Sequence, residues 1–209
     1  MRARDGSRRR FGVPFDQGLW MRMLTVIVAT LNSERALVPT LAALVPGAMS
    51  GLVSEVLVAD GGSRDDTVTV AEIAGCNVTV VEGTLAHRLK QAAGGARAPW
   101  LLFLRAGTVL DTPWTGDAER FVERRSRRDS AAVFRRAAPE QATLRDAVSL
   151  LAAALGRRPH PEQGLLISRR FYDALGGHAE AVADPETDLI RRLGRRRIVR
   201  LPAAAYSAL

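Results

Sequence analysis

The stretch Glu55-Val-Leu-Val-Ala-Asp60-Gly-Gly-Ser-Arg-Asp65 decides how this chain is read. A continuous apolar run, Val56 to Ala59, ends in a carboxylate, and two glycines and a serine follow at once. An apolar run of this length bounded by turn residues reads as a strand buried on both faces. The Gly61-Gly62-Ser63 turn lets the backbone approach a ligand closely. In open α/β sheets ligands lie beyond the carboxyl ends of the strands, which is where Asp60 falls. A carboxylate there accepts hydrogen bonds from a ribose hydroxyl or a base N–H. The competing reading is that Asp60 only caps the following helix.

Working outward, Leu24 to Thr30 is a β-branched run and reads as the first strand. The helix after it carries Leu37, Leu41, Leu44 and Val45 on one stripe. The turn between them has neither Gly-x-Gly-x-x-Gly nor a P-loop, which removes ordinary dinucleotide binding and P-loop ATPase chemistry. After Asp60, Ser63 suits an N-cap, with Asp65 and Asp66 in the first helical turn and Val68, Ala71, Ile73 and Ala74 facing the sheet. Asn77 to Val81 reads as a third strand, 86–96 as a helix ended by Gly94-Gly95, and Trp100 to Leu104 as a fourth strand. This βαβαβαβ order implies a parallel sheet with helical crossovers. Further on, a charged helix over 114–128, a strand over 131–135, an amphipathic helix over 143–155 and strands over 164–168 and 197–201 are expected. Asp184-Pro185 reads as N-cap and first residue of a helix that buries Leu189, Ile190 and Leu193.

The chain has 209 residues and a net charge of +8, with Lys90 its one lysine. Residues 1–22 hold six arginines and two aspartates without periodicity, and are expected to be a disordered tail. Met21 and Met23 leave open a later start. Only 5% of residues are aromatic and the arginines are scattered, which argues against a nucleic-acid partner. An anionic ligand or a peripheral contact with a lipid surface suits the surplus equally. No run of 18 apolar residues exists, and a single cysteine, Cys76, fits a reducing compartment, so a cytoplasmic protein is expected. His87, His160 and His178 lack ligand-like spacing for zinc, and no Gly-x-Ser-x-Gly elbow is present.

Val26-Ile-Val-Ala-Thr-Leu-Asn-Ser-Glu34 followed by the Asp60 strand resembles the opening of family-2 glycosyltransferases of the GT-A fold. The resemblance runs on through Arg88-Leu-Lys-Gln91, Leu101 to Leu104, Glu162-Gln163, Leu175-Gly-Gly177 and Asp188-Leu-Ile-Arg-Arg192, and is strongest to a short soluble bacterial subgroup. It implies a single α/β domain over 23–209, with a mostly parallel Rossmann-like sheet flanked by helices. The nucleotide-binding half would be 23–108 and the acceptor half 109–209. It also implies a nucleotide-sugar donor met by Thr30, Asn32, Asp60, Gly61, Arg88, Gln91 and Arg105. The acceptor, whether saccharide, lipid or small molecule, would meet Glu162 and Gln163. Glu186 and Asp188 fall on the acidic pair that supplies the general base, and equally suit first-turn acids on a helix dipole.

The family's Asp-x-Asp-type motif, which holds Mg²⁺ or Mn²⁺ against the donor diphosphate, is degenerate here. The stretch reads Arg105-Ala-Gly-Thr108, so the metal-ligand position is Gly107, and the nearest acid is Asp111. Three functions follow as expectations. Arg105 replaces the metal and the enzyme transfers a sugar without one; or the fold binds a nucleotide or a partner without catalysis; or the sheet serves nucleotidyl transfer.

Overall fold

Every residue from Leu24 to Val28 is buried, as an apolar β-branched run between two helical layers requires. The computed structural model describes residues 23–125, 129–137 and 159–208. Its first half alternates β1 (Leu24–Thr30), α1 (Glu34–Met49), β2 (Val53–Asp60), α2 (Thr67–Ile73), β3 (Asn77–Val80), α3 (Leu85–Gly95) and β4 (Trp100–Arg105). Then come β5 (Thr108–Leu110), α4 (Trp114–Arg125), β6 (Ala131–Arg136), β7 (Leu165–Ser168), α5 (Arg169–Ala174), α6 (Pro185–Leu193) and β8 (Ile198–Ser207). Short 3₁₀ turns at Pro161–Gln163 and Arg195–Arg197 precede β7 and β8.

Among the described residues the strands form one sheet in the order β3-β2-β1-β4-β7-β6-β8-β5. β3, β2, β1 and β4 are mutually parallel, as the βαβ order requires. β7 enters antiparallel between β4 and β6, and β8 runs parallel to β6. One face carries α1, α2 and α4 over Val26, Val28, Leu102 and Phe134. The other carries α3, α5 and α6 over Ile27, Leu101, Phe103 and Ile167. Trp114 locks α4 to α1: it is fully buried, and its Nε1–H donates to Ala43 O at 2.9 Å.

Local details depart from the sequence reading. Ser63 does not cap α2; that helix starts at Thr67 with Asp66 as N-cap, while Ser63 is spent on Asp60 and Asn32. Asp65 therefore precedes the helix, and its carboxylate holds the N–H of Thr67. Ala71 is buried as expected, but Ile73 is 83% exposed and Ala74 is exposed, because the helix ends there. Val45 lies on the outer side of α1. β8 is longer than expected and gains β5 as an antiparallel partner. Residues 1–22, 126–128 and the amphipathic segment over 143–155 lie outside the described residues.

Strand directions bring a set of side chains to one rim. Thr30, Asp60 and Val80 stand abreast at the ends of β1, β2 and β3, and Arg105 ends β4 opposite Ala29. Because β7 is antiparallel and β6 parallel to β4, Pro161–Gln163 and Arg136 fall on this same carboxyl rim.

Candidate functional site

Asp60 closes the β2 end of the rim from within. Its Oδ2 accepts hydrogen bonds from Thr30 Oγ1 at 2.8 Å and Ser63 Oγ at 2.6 Å. Its Oδ1 accepts from the backbone N–H of Gly62 at 2.8 Å and of Ser63 at 2.7 Å. A carboxylate offers about four lone-pair sites, so the chain itself occupies them all. Burial pushes the group's pKa up, but the hydrogen bonds from Ser63, Thr30 and Gly62 outweigh it and hold the carboxyl below its usual range. The side chain has no exposed surface and shapes the Gly61-Gly62-Ser63 turn.

The neighbouring turn is stitched to this one. Asn32 adopts a left-handed φ of 49°, donates its N–H to Ser63 Oγ, and accepts from Arg64 N–H at 2.9 Å. Thr30 and Asn32, two expected donor contacts, thus set the geometry of both turns.

Arg88 crosses the same rim from α3. Its Nη1 donates to Thr30 O at 2.7 Å and Ala59 O at 3.3 Å. A Cβ at residue 61 would lie 2.6 Å from Nη1, so Gly61 makes room for this guanidinium. Arg88 is only 9% exposed, its Nε is buried without a partner, and among the described residues it forms no ion pair. An uncompensated buried cation is costly and favours an anion beside it. Gln91, one turn on, is exposed.

Arg105 is held differently. Its Nε donates to Glu186 Oε2 at 2.7 Å, and its Nη2 pairs with the same oxygen. Burial lowers the arginine's pKa, but the Glu186 hydrogen bond and the charges of Glu186, Asp184 and Glu162 more than reverse this. Glu186 stands in the first turn of α6, whose N-cap is Asp184, as read from the sequence. Burial also raises Asp184, yet its bonds to Thr187 and the Arg105 charge keep it below the usual carboxylate range. A second pair lies alongside: Arg136 Nη2 is 3.1 Å from Glu162 Oε2, and His160 Nδ1 is 3.5 Å from it. Gln163 is buried and structural, donating to Phe134 O at 2.7 Å and accepting from His160 N–H at 2.8 Å.

Asp188 belongs to another cluster. Its two oxygens accept from Arg191 Nη2 and Arg192 Nε, each at 2.7 Å, which holds its pKa low. Arg192 in turn donates to Leu175 O and Gly177 O at 2.6 Å. Asp188 thus anchors the Gly176-Gly177 turn to α6.

The rim does not fit a divalent metal at the expected position. Gly107 N–H is within hydrogen-bond reach of Ala36 O and Thr40 Oγ1, each at 2.9 Å, and its φ is +92°. Its residue is buried against α1, in a conformation that disfavours any side chain. Asp111 lies beyond β5 with its N–H on Ala204 O. Among the described residues no group of three His, Cys, Asp or Glu side chains is placed to hold a metal.

The sequence reading missed Arg136 and His160 as rim residues. Arg136 ends an apolar strand, the one local signal available. What brings it to Glu162 is the β6–β7–β4 arrangement, which no local pattern carries.

No protein-family profile matches the chain, and no curated protein matches it. Solved structures do. Glucosyl-3-phosphoglycerate synthase from Mycobacterium tuberculosis, in complex with Mn²⁺, UDP and glucosyl-3-phosphoglycerate, superposes with a TM-score of 0.61 at 19% identity, covering 88% of this chain and 70% of that one. S. aureus TarS 1–349 gives 0.66 at 16% identity, covering 88% and 60%. The mannosyltransferase PcManGT from Pyrobaculum calidifontis, with GDP-Man and Mn²⁺, gives 0.66 at 19% identity, covering 88% and 56%. The chain thus spans less than two thirds of the latter two. At such identities the likeness concerns architecture. With its eight-stranded mixed, mostly parallel sheet between two helical layers, the chain has the GT-A fold of these glycosyltransferases.

Proposed function

We propose that the protein transfers a sugar from a nucleoside-diphosphate sugar to an acceptor hydroxyl, with arginine in place of the metal. The observation that carries this is Arg88: a buried guanidinium without a carboxylate partner among the described residues, lying across the carboxyl ends of β1 and β2. The fold supports the reading, because its neighbours include structures with UDP and with GDP-Man. Diphosphate oxygens would supply the charge that Arg88 lacks, and Arg105 would add a second guanidinium at the end of β4.

In this reading donor binding draws Arg105 toward the diphosphate and loosens it from Glu186. Glu186 then takes the proton of the acceptor hydroxyl as that oxygen attacks the anomeric carbon. The bond from that carbon to the diphosphate breaks, and the arginines stabilise the charge left on the nucleotide. Asp60 and Thr30 act by fixing the turn against which the nucleoside packs. Asp188 acts through Arg192 on the loop.

A second reading keeps nucleotide binding without catalysis. It is favoured by the Arg105–Glu186 pair, which neutralises both groups that the reaction would need. Incubation with UDP-, GDP- and dTDP-sugars, in EDTA and with Mn²⁺, separates them. Nucleotide release in EDTA that disappears in Arg105→Ala supports metal-free transfer. Binding without release under every condition supports the inactive fold. Absence of binding overturns both.

A further inference from the structure

Helix α1 is apolar on both sides. Its inner face, with Leu37, Thr40 and Leu44, is buried against the sheet. Its outer face carries Val38, Ala42, Val45 and Met49, all exposed, Met49 to 84%. At about 100° per residue these four and the exposed Arg35 fall within about 80° of arc, so they make one stripe along the helix. From Ala36 to Ser54 the chain has no acid or base, although 25% of all its residues are charged. Ile73, at the end of α2, extends the apolar surface. α2 packs beside α1, and both run against the parallel strands, so Ile73 and Met49 fall at the same end of the layer.

Single exposed apolar side chains need no account. A helix apolar all round belongs in an interior, however, and a contiguous apolar patch depleted of charge marks an interface. The order of residues along this stripe says what covers it, because it is self-complementary. Arg35 and Met49 lie equally far on either side of Ala42, with Val38 and Val45 between. The charges of α1 are also lopsided: Glu34 stands in its first turn, but its last turn has no basic residue, although carbonyl ends there favour a cation.

We propose that a second copy of the chain packs on this stripe, α1 antiparallel to α1, about a two-fold axis beside Ala42. Val38 then meets the partner's Val45. Arg35 lies along the partner's Met49 and brings to that helix end the cation it lacks. Alanine at the crossing lets the two axes approach to the near end of the usual range of about 8–10 Å. The contact uses the same patch on both copies, so it closes at a dimer. It does not depend on glycosyl transfer.

Sedimentation equilibrium of the full chain over a concentration series tests it, and the wild type is expected to reach twice the mass of one chain. Val38→Glu with Val45→Glu opposes like charges twice in the seam and should weaken the dimer by more than about a hundredfold. Val38→Glu with Val45→Lys sets opposite charges there instead and should restore association, which separates the seam from loss of fold. Oxidation reads the register. In a Cys76→Ala background, Ala42→Cys is expected to cross-link, because the axis brings the two Cα atoms to about 5 Å. Val38→Cys is not, since its two copies lie about 12 Å apart along the helices. A wild type that stays monomeric at every concentration overturns the proposal, whatever then covers the stripe. So does a dimer that the paired acids leave intact, a dimer lost equally in both charge variants, or cross-linking through Val38→Cys in place of Ala42→Cys.

Discussion

At position 107 a carboxylate would have to sit on a backbone with φ of +92°, its N–H turned toward Ala36 O and Thr40 Oγ1. Restoring the acid therefore does not restore the metal site. Gly107→Asp is expected to destabilise the protein by about 1–3 kcal/mol through backbone strain. It should leave nucleotide binding unresponsive to Mn²⁺. A urea titration and a Mn²⁺ titration of nucleotide affinity check the two halves; tighter binding in Mn²⁺ would show that the turn can rearrange. Asp60 teaches a related lesson. Its place at a strand end was legible from Val56 to Ala59 and the glycines that follow. Which way its carboxylate faces was not, because Thr30, thirty residues earlier, is one of the groups that claim it.

Helix α6 separates two acids that the sequence offered as one pair. Glu186 faces Arg105 on the rim, whereas Asp188, two residues on, is rotated away by the helical period and holds Arg191 and Arg192. Glu186→Gln should lower transfer by about 10²–10⁴-fold, the span of a lost general base. Asp188→Asn should lower stability and leave kcat within several-fold. Steady-state kinetics beside denaturation curves distinguish them, and the reverse pattern would reassign the base. The loop that Arg192 holds also carries a pH signature. His178 is 1% exposed, its Nδ1 lies 2.8 Å from Tyr172 Oη, and burial, with the Arg192 charge, pushes its pKa down to about 3. The unfolded chain takes up this proton near pH 6.5, whereas the folded one resists it until about pH 3. Stability should therefore fall with pH through that window, by at most about 1.4 kcal/mol per unit from this group. Urea midpoints between pH 7 and 4 should show the slope, and His178→Gln should flatten it. Nothing in the spacing of Tyr172 and His178 announced this pair; the Gly176-Gly177 turn between α5 and α6 makes it, folding the chain back on itself.

Across the whole molecule, the parallel order of β1, β2 and β4 brings Arg88 and Arg105 to one rim. The parallel order of β1 to β4 could be read from alternating runs, because each crossover is local. The entry of β7 between β4 and β6 could not, and it is this insertion that brings Glu162 beside Arg105. The proposed function then requires that nucleotide binding at this rim need no metal. A nucleoside diphosphate at a hundredfold excess over its Kd stabilises a protein that binds it only when folded by about 2.7 kcal/mol. For a chain of this size each kcal/mol moves Tm by roughly 2–4 °C, so UDP, GDP or dTDP should raise it by about 5–10 °C. If guanidinium groups carry the diphosphate, the rise is the same in EDTA and in Mn²⁺. It disappears in Arg88→Ala, which removes the buried cation. A rise that requires Mn²⁺ would return the metal to the site and take from Arg88 and Arg105 the role given them here.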